Sequence, residues 1–149
     1  MPRQADIAAR RFRVVAGILR DAGGRVLVAE RIGDTPFAGL WEFPGGKIQD
    51  GENRHTALYR ELREEIGIDV GSCEYFLSAR HDYPDRHVSI DFFLVDEWRH
   101  EPRGLEGQQL RWCLPQALAA DELLPADAPV LDALRALNAA PPSPAVSKY

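Results

Sequence analysis

No apolar run in this chain approaches the ~20 residues that a helix needs to cross a bilayer. The opening residues, MPRQADIAARR, hold no apolar core of the kind a secretory signal carries. Both absences predict a cytoplasmic protein that does not engage membranes. Cysteine is sparse too, with Cys73 and Cys113 the only two. Two isolated cysteines build neither a disulfide framework nor a zinc cluster, so both are expected as small buried hydrophobes in a reducing compartment. Positive charge is also short: 18 Lys and Arg stand against 23 Asp and Glu, for a formal net charge of −5. No basic run interleaves with aromatics, which disfavours a nucleic-acid groove. An acidic chain can still take a phosphorylated substrate, because a divalent cation inverts the local sign.

What is present suits one ordinary domain of 149 residues, 45% hydrophobic and 28% charged. Phe12 to Leu19 predicts a strand, Asp21 to Gly24 a turn, and Arg25 to Arg31 the returning strand of a hairpin. A short apolar piece, Leu40 to Phe43, is broken by Pro44-Gly45-Gly46. Residues 53–66 predict a helix, with Leu58, Leu62 and Ile66 as one apolar stripe and Gly67 as its left-handed cap. Strand-like runs at 73–80 and 87–97 flank the turn Tyr83 to Arg86, Leu110 to Trp112 suggests a short strand, and Pro115 starts a helical turn through Ala119. A last helix is expected from Ala126 or Asp127 to Asn138, burying Leu131, Leu134 and Leu137. The predicted organisation is a flexible 1–11, one domain over 12–138, and a disordered tail over 139–149 that carries three of the eleven prolines. Strands mixed with two helices predict an α/β (α+β) chain, folded as an α/β/α sandwich around a central mixed β-sheet.

The chemistry concentrates in GKIQDGENRHTALYRELREEIGI, Gly46 to Ile68. With Glu61 as reference and about 100° per residue, Glu65 lies about 40° to one side and Glu64 about 60° to the other. The three carboxylates share one arc beside the apolar stripe, where they repel one another unless a cation neutralises them. Hard oxygen donors select Mg²⁺ or Mn²⁺, ions that stabilise charge on transferring phosphoryl groups. Glycines at 45 and 46 permit close approach of the backbone, so a carbonyl there can join the metal shell. ELREE alone is a common solvated helix face. Gly46, Glu52, Arg60, Glu61, Glu64, Glu65 and Gly67 at these fixed offsets coincide by chance below about 10⁻⁷ per start position.

That pattern resembles the signature of the Nudix hydrolases at every position. The resemblance implies hydrolysis of a nucleoside diphosphate linked to another group, with Mg²⁺ or, in its place, Mn²⁺. It places Glu61, Glu64 and Glu65 around the metal, with Glu61 as general base oriented by Arg60, and gives Glu52 a structural or outer-sphere role. Further likeness, in LWEFPGGKIQDGE, YPDRHVSIDFFLV, Leu105 to Gln108 and Pro125 to Val130, is to the MutT branch of the family, which acts on 8-oxo-dGTP. That branch implies Glu106 as a further metal ligand, beside the Gly45 carbonyl that the glycine pair allows. It also implies substrate contacts from Arg31, Glu42, Phe43, Lys47, Asp85, Arg86 and Asp127. Asp127 stands where that branch has Asn, which both donates and accepts, whereas an ionised Asp only accepts. Leu123 to Leu137, with Trp112 and Cys113, resembles instead the family's hydrolases of CTP and modified pyrimidine nucleotides. Asp127 as a simple cap of the last helix is the bland alternative. The expected substrate is therefore a nucleoside triphosphate: 8-oxo-dGTP first, CTP, dCTP or a 5-substituted pyrimidine second. A non-catalytic nucleotide sensor comes third, because such domains usually lose the carboxylates retained here. The assembly expected is a monomer or homodimer.

Overall fold

The computed structural model describes residues 10–139; the remainder of the expected N-terminal and C-terminal segments lies outside the described residues. β1 (Arg11–Leu19) begins one residue earlier than the sequence predicted. It lies in a four-stranded mixed sheet, parallel to β6 (Arg86–Arg99) and antiparallel to β4 (Gly45–Lys47), with β5 (Asp69–Tyr83) on the far side of β6. β2 (Val26–Glu30) pairs antiparallel with β3 (Trp41–Glu42) and β7 (Leu110–Cys113) in a second sheet.

This corrects two expectations. Asp21 does close the turn, its Oδ1 accepting from the amides of Gly23 and Arg25 at 3.0 and 2.8 Å. The strands it joins are not a hairpin, because beyond one isolated bridge, Arg20 to Val26, they enter different sheets. The second concerns Pro44-Gly45-Gly46, expected as a break. Gly45 and Gly46 are strand residues, opposite Ala16 and Val15. A Cβ on Gly45 would stand 2.0 Å from the Val15 carbonyl oxygen, so only glycine allows this approach.

β1 is buried on both faces from Val15 to Leu19, which is why that stretch is a continuous apolar run. Val15 and Leu19 meet α1 (Arg54–Ile66), together with Phe93 and Val95 of β6. Ala16 and Ile18 turn the other way, toward Phe92, Leu94 and α2 (Val130–Ala139). The two cores on opposite faces are the layers of the expected sandwich.

α1 is held at both ends. The Asn53 side chain accepts from the Thr56 amide at 2.9 Å, and Gly67 (φ 74°) donates to the Arg63 carbonyl. Leu58, Leu62 and Ile66 are fully buried, each contributing roughly 1.5–3 kcal/mol of transfer free energy. Gly17 lets the helix sit close, since a Cβ there would come within 2.7 Å of Leu62 Cδ1. α2 starts at Val130, later than predicted, so its buried face is Val130, Leu131 and Leu134, while Leu137 stays 39% exposed. The chain before it forms two 3-10 turns, Pro115–Ala117 and Ala120–Glu122, and then a turn at Asp127. Cys113 is buried and Cys73 half-buried. No helix among the described residues is long and apolar enough to cross a membrane.

Candidate active site

Arg60 organises the exposed side of α1. Its guanidinium donates to Glu52 twice (2.7 and 2.9 Å), to Glu61 Oε2 at 2.9 Å, to Glu64 at 3.3 Å and to the Lys47 carbonyl at 3.0 Å. Hydrogen bonds from Arg60 hold Glu52 down to about 2, and Glu52 in turn pushes the guanidinium further up. Glu61 is thus fixed from one side by a permanent cation. From the other side it is fixed by Gly46, where a Cβ would collide with the Glu61 carboxylate at 2.3–2.5 Å.

Glu65, one helical turn on, reaches across to β4 and accepts from the Gly45 amide at 2.9 Å. The ladder explains why that amide is available. Pro44 and Ile48 are the residues bonded across to β1 at Gly17 and Arg13. Gly45, opposite Ala16, therefore falls at a non-hydrogen-bonded position of the antiparallel pair, and its N–H and C=O face away from β1.

Above this junction lies a cavity of 360 Å³ lined by residues from every part of the chain. Glu61, Glu65 and Glu106 face it, with Gly45, Gly46 and Lys47 along one wall. Glu42 also faces it, paired to Arg31 at 2.7 Å. Its deep recess holds Asp127, only 4% exposed, whose Oδ2 accepts from the Phe43 amide at 2.8 Å. Asp127 therefore does not cap the last helix with its side chain. Phe43 packs edge-on against Phe92, and Phe37 against Tyr83, over whose ring Arg86 lies at 5.4 Å. The Nε atoms of Arg31 and Arg86 are buried with no hydrogen-bond partner among the described residues. Two residues, at most ~7 Å of chain, separate the amide that meets Asp127 from the one that meets Glu65.

The structure thus brings together Arg31, Glu42, Phe43, Gly45, Lys47, Glu61, Glu65, Arg86, Glu106 and Asp127. It leaves Glu64 and Asp85 outside the cavity, their side chains 61% and 60% exposed. The offset of about 60° from Glu61 carries Glu64 around the helix, toward Arg60. Tyr83, Phe37 and Gln108 line the cavity although nothing in their spacing marked them. Gln108 lies inside a segment noted only for its likeness.

Burial pushes Glu65 up to about 8, opposed by the Gly45 amide and reinforced by the negative charges of Glu42, Glu106 and Glu61. Among the described residues, no three His, Cys, Asp or Glu side chains are already gathered into a cage. Glu65, held protonated by burial and by the charges of its neighbours, nonetheless faces the same cavity as Glu61 and Glu106, and hard carboxylate donors of this kind are what a divalent cation neutralises, so these residues fit one. Asp127 is likewise pushed up to about 8 by burial, against the Phe43 amide. Carboxyls raised in the folded state favour folding most below their unfolded pKa, and that contribution drains away as pH rises toward the folded value. In EDTA the melting temperature is expected to fall between about pH 4 and about pH 8 from these two groups, and Asp127→Asn should flatten the fall. A melting temperature that rises across this window, or an equal slope in Asp127→Asn, overturns the assignment.

The family model for the NUDIX domain matches residues 10–134. The 8-oxo-dGTP diphosphatase of Escherichia coli (strain K12) is 38% identical over 128 residues, covering 86% of this chain and 99% of that protein. The CTP pyrophosphohydrolase of the same organism is 39% identical over 130 residues, covering 87% and 96%. Among solved structures, the solution structure of the E. coli ORF135 protein matches with a TM-score of 0.77 at 38% identity, covering 90% of this chain and 95% of that one. Sequence and fold agree, and the chain belongs to the Nudix family of hydrolases.

Proposed function

We propose that this chain hydrolyses 8-oxo-dGTP to 8-oxo-dGMP and pyrophosphate with a divalent cation, Mg²⁺ or in its place Mn²⁺. The observation that carries the proposal is one cavity faced by Glu61, Glu65 and Glu106 and by the buried Asp127, with Phe43 and Gly45 bonded to Asp127 and Glu65 respectively. Glu61, Glu65 and Glu106, with the Gly45 carbonyl, would hold the cation, and Glu64 would join by turning away from Arg60. Once bound, the cation would neutralise the triphosphate and polarise the phosphorus under attack. Glu61, oriented by Arg60, takes a proton from the attacking water. Attack on the β-phosphorus breaks its bond to the bridging oxygen; 8-oxo-dGMP leaves with that oxygen, and the oxygen of the water stays on the β-phosphorus as part of pyrophosphate. Lys47 lies near the phosphates, and the unpaired Nε–H groups of Arg31 and Arg86 offer donors to the nucleoside.

The recess favours the oxidised purine. Asp127 already accepts one hydrogen bond from protein, and burial keeps its proton on. A protonated carboxyl presents a donor and an acceptor together, the pattern an Asn would give. A second reading follows if substrate draws Asp127 into its ionised form. An acceptor-only group suits the amino group of cytosine, as the name of the CTP-hydrolysing relative suggests.

A panel of nucleoside triphosphates ranked by kcat/KM separates the two. We expect 8-oxo-dGTP to exceed dGTP, dCTP and CTP by at least ~10-fold, since a mismatched buried polar group discriminates strongly. Asp127→Asn should keep that order. A wild type that favours cytidine nucleotides, with Asp127→Asn shifting toward 8-oxo-dGTP, would establish the second reading.

A further inference from the structure

Gln108 is one of two buried polar residues among the described side chains, at 6% exposure; Asp127 is the other. Its amide makes two bonds that join separate parts of the cavity wall. Oε1 accepts from the backbone amide of Glu106 at 2.9 Å, and Nε2 donates to the backbone carbonyl of Glu65 at 3.2 Å. Glu65 sits in the last turn of α1, where carbonyls lack helical partners. Two loop amides reach the same place, Leu105 donating to Glu65 at 3.2 Å and Arg103 to Ile66 at 2.9 Å. The loop closes tightly behind Gln108. A Cβ on Gly104 would stand 2.0 Å from the Gln108 carbonyl oxygen, and the next residue, Gln109, accepts from Glu30 of β2.

We infer that Gln108 is a positioning residue that fixes Glu106 in the loop relative to Glu65 on the helix, so that carboxylates from two elements reach the cavity as a matched pair. A side chain whose two amide ends each satisfy the backbone of a cavity carboxylate does more than fill space. An apolar residue of the same volume would pack equally well, yet would take away the protein acceptor of the Glu106 N–H. The inference rests on the cation reading under Proposed function only for its consequence, because the positioning itself is visible without metal.

Gln108→Met keeps the volume and removes both bonds. Backbone amide exchange at Glu106 should quicken roughly fivefold to tenfold, as expected for one lost hydrogen bond. Mn²⁺ affinity, read from the free-ion paramagnetic resonance signal at several total concentrations, should fall ~10–100-fold, the usual cost of losing a group that orients a ligand. In a Glu106→Gln background the same change should add less than ~2-fold, because the orienting role has nothing left to orient. Unchanged Glu106 exchange overturns the inference, as does a full multiplicative loss of Mn²⁺ affinity in the double variant. If Gln108→Met does not fold, Gln108→Ala removes the same bonds without added bulk and is held to the same criteria. A wild type that binds no Mn²⁺ would defeat the cation reading, while Glu106 exchange would still decide the role of Gln108.

Discussion

Glu61→Gln is expected to lower turnover at least ~10²-fold, the lower range for a positioned general base, while the melting temperature stays close to wild type. Glutamine keeps the length of the side chain and still accepts from Arg60, which holds Oε2 at 2.9 Å. It also fills the space that Gly46 leaves open against the helix. What it loses is the ability to take a proton and the negative charge that attracts a cation. Burst and steady-state pyrophosphate release with 8-oxo-dGTP, alongside a thermal melt, measure both quantities. Near-wild-type turnover in a folded variant would remove Glu61 from the chemistry and leave Glu65 or Glu106 as the base.

Gly45→Ala should be the most damaging single-methyl change in the fold. The added carbon would stand 2.0 Å from the Val15 oxygen and 2.7 Å from Ala16 Cα, and both are backbone atoms in the middle of a sheet. No rotamer relieves such a contact, so β4 must retreat from β1, and the bond from the Gly45 amide to Glu65 goes with it. We expect a loss of about 3 kcal/mol or more, or roughly 10 °C in melting temperature for a domain of this size. Activity should fall in the fraction that still folds. A loss under about 1 kcal/mol, the level of an ordinary surface substitution, would show that β4 accommodates a side chain and that its glycine is not required for packing.

How much of this was legible in the sequence depends on the range of the forces involved. The helix with its carboxylates was legible because Asn53, Leu58, Leu62, Ile66 and Gly67 act within one element, and their spacing is their geometry. β1 was legible because its second half, Val15 to Leu19, is buried on both faces and must be apolar. β4 was not, because Gly45-Gly46-Lys47 has no strand propensity and pairs with residues distant in sequence, Ala16 with Gly45, Val15 with Gly46 and Val14 with Lys47. The supposed hairpin failed for the same reason. The turn at Asp21 is local, whereas the choice of sheet for β2 is made by β3 and β7.

The site divides along the same line. Helical phase put Glu61, Glu64 and Glu65 on one flank. Only the sheet decided that Glu65 would find the Gly45 amide, whereas Glu64 meets Arg60 through an i,i+4 contact local to the helix. Family likeness supplied Arg31, Phe43, Glu106 and Asp127 as candidates, and no periodicity would have gathered them. Gln108 escaped because its importance lies in two backbone bonds, to Glu106 and Glu65, and residue type alone does not announce where an amide will point.

β1 serves as a common ruler for the catalytic walls. α1 touches it at Gly17, and the glycine strand is measured against it at Val15 and Ala16, so the gap between Glu61 and the backbone opposite is set by nine consecutive residues. Drift in the outer edge of the sheet, or in the tilt of the terminal helix, leaves that gap untouched. Such a chain can acquire new nucleoside preferences around its rim while the spacing that breaks pyrophosphate bonds is inherited intact.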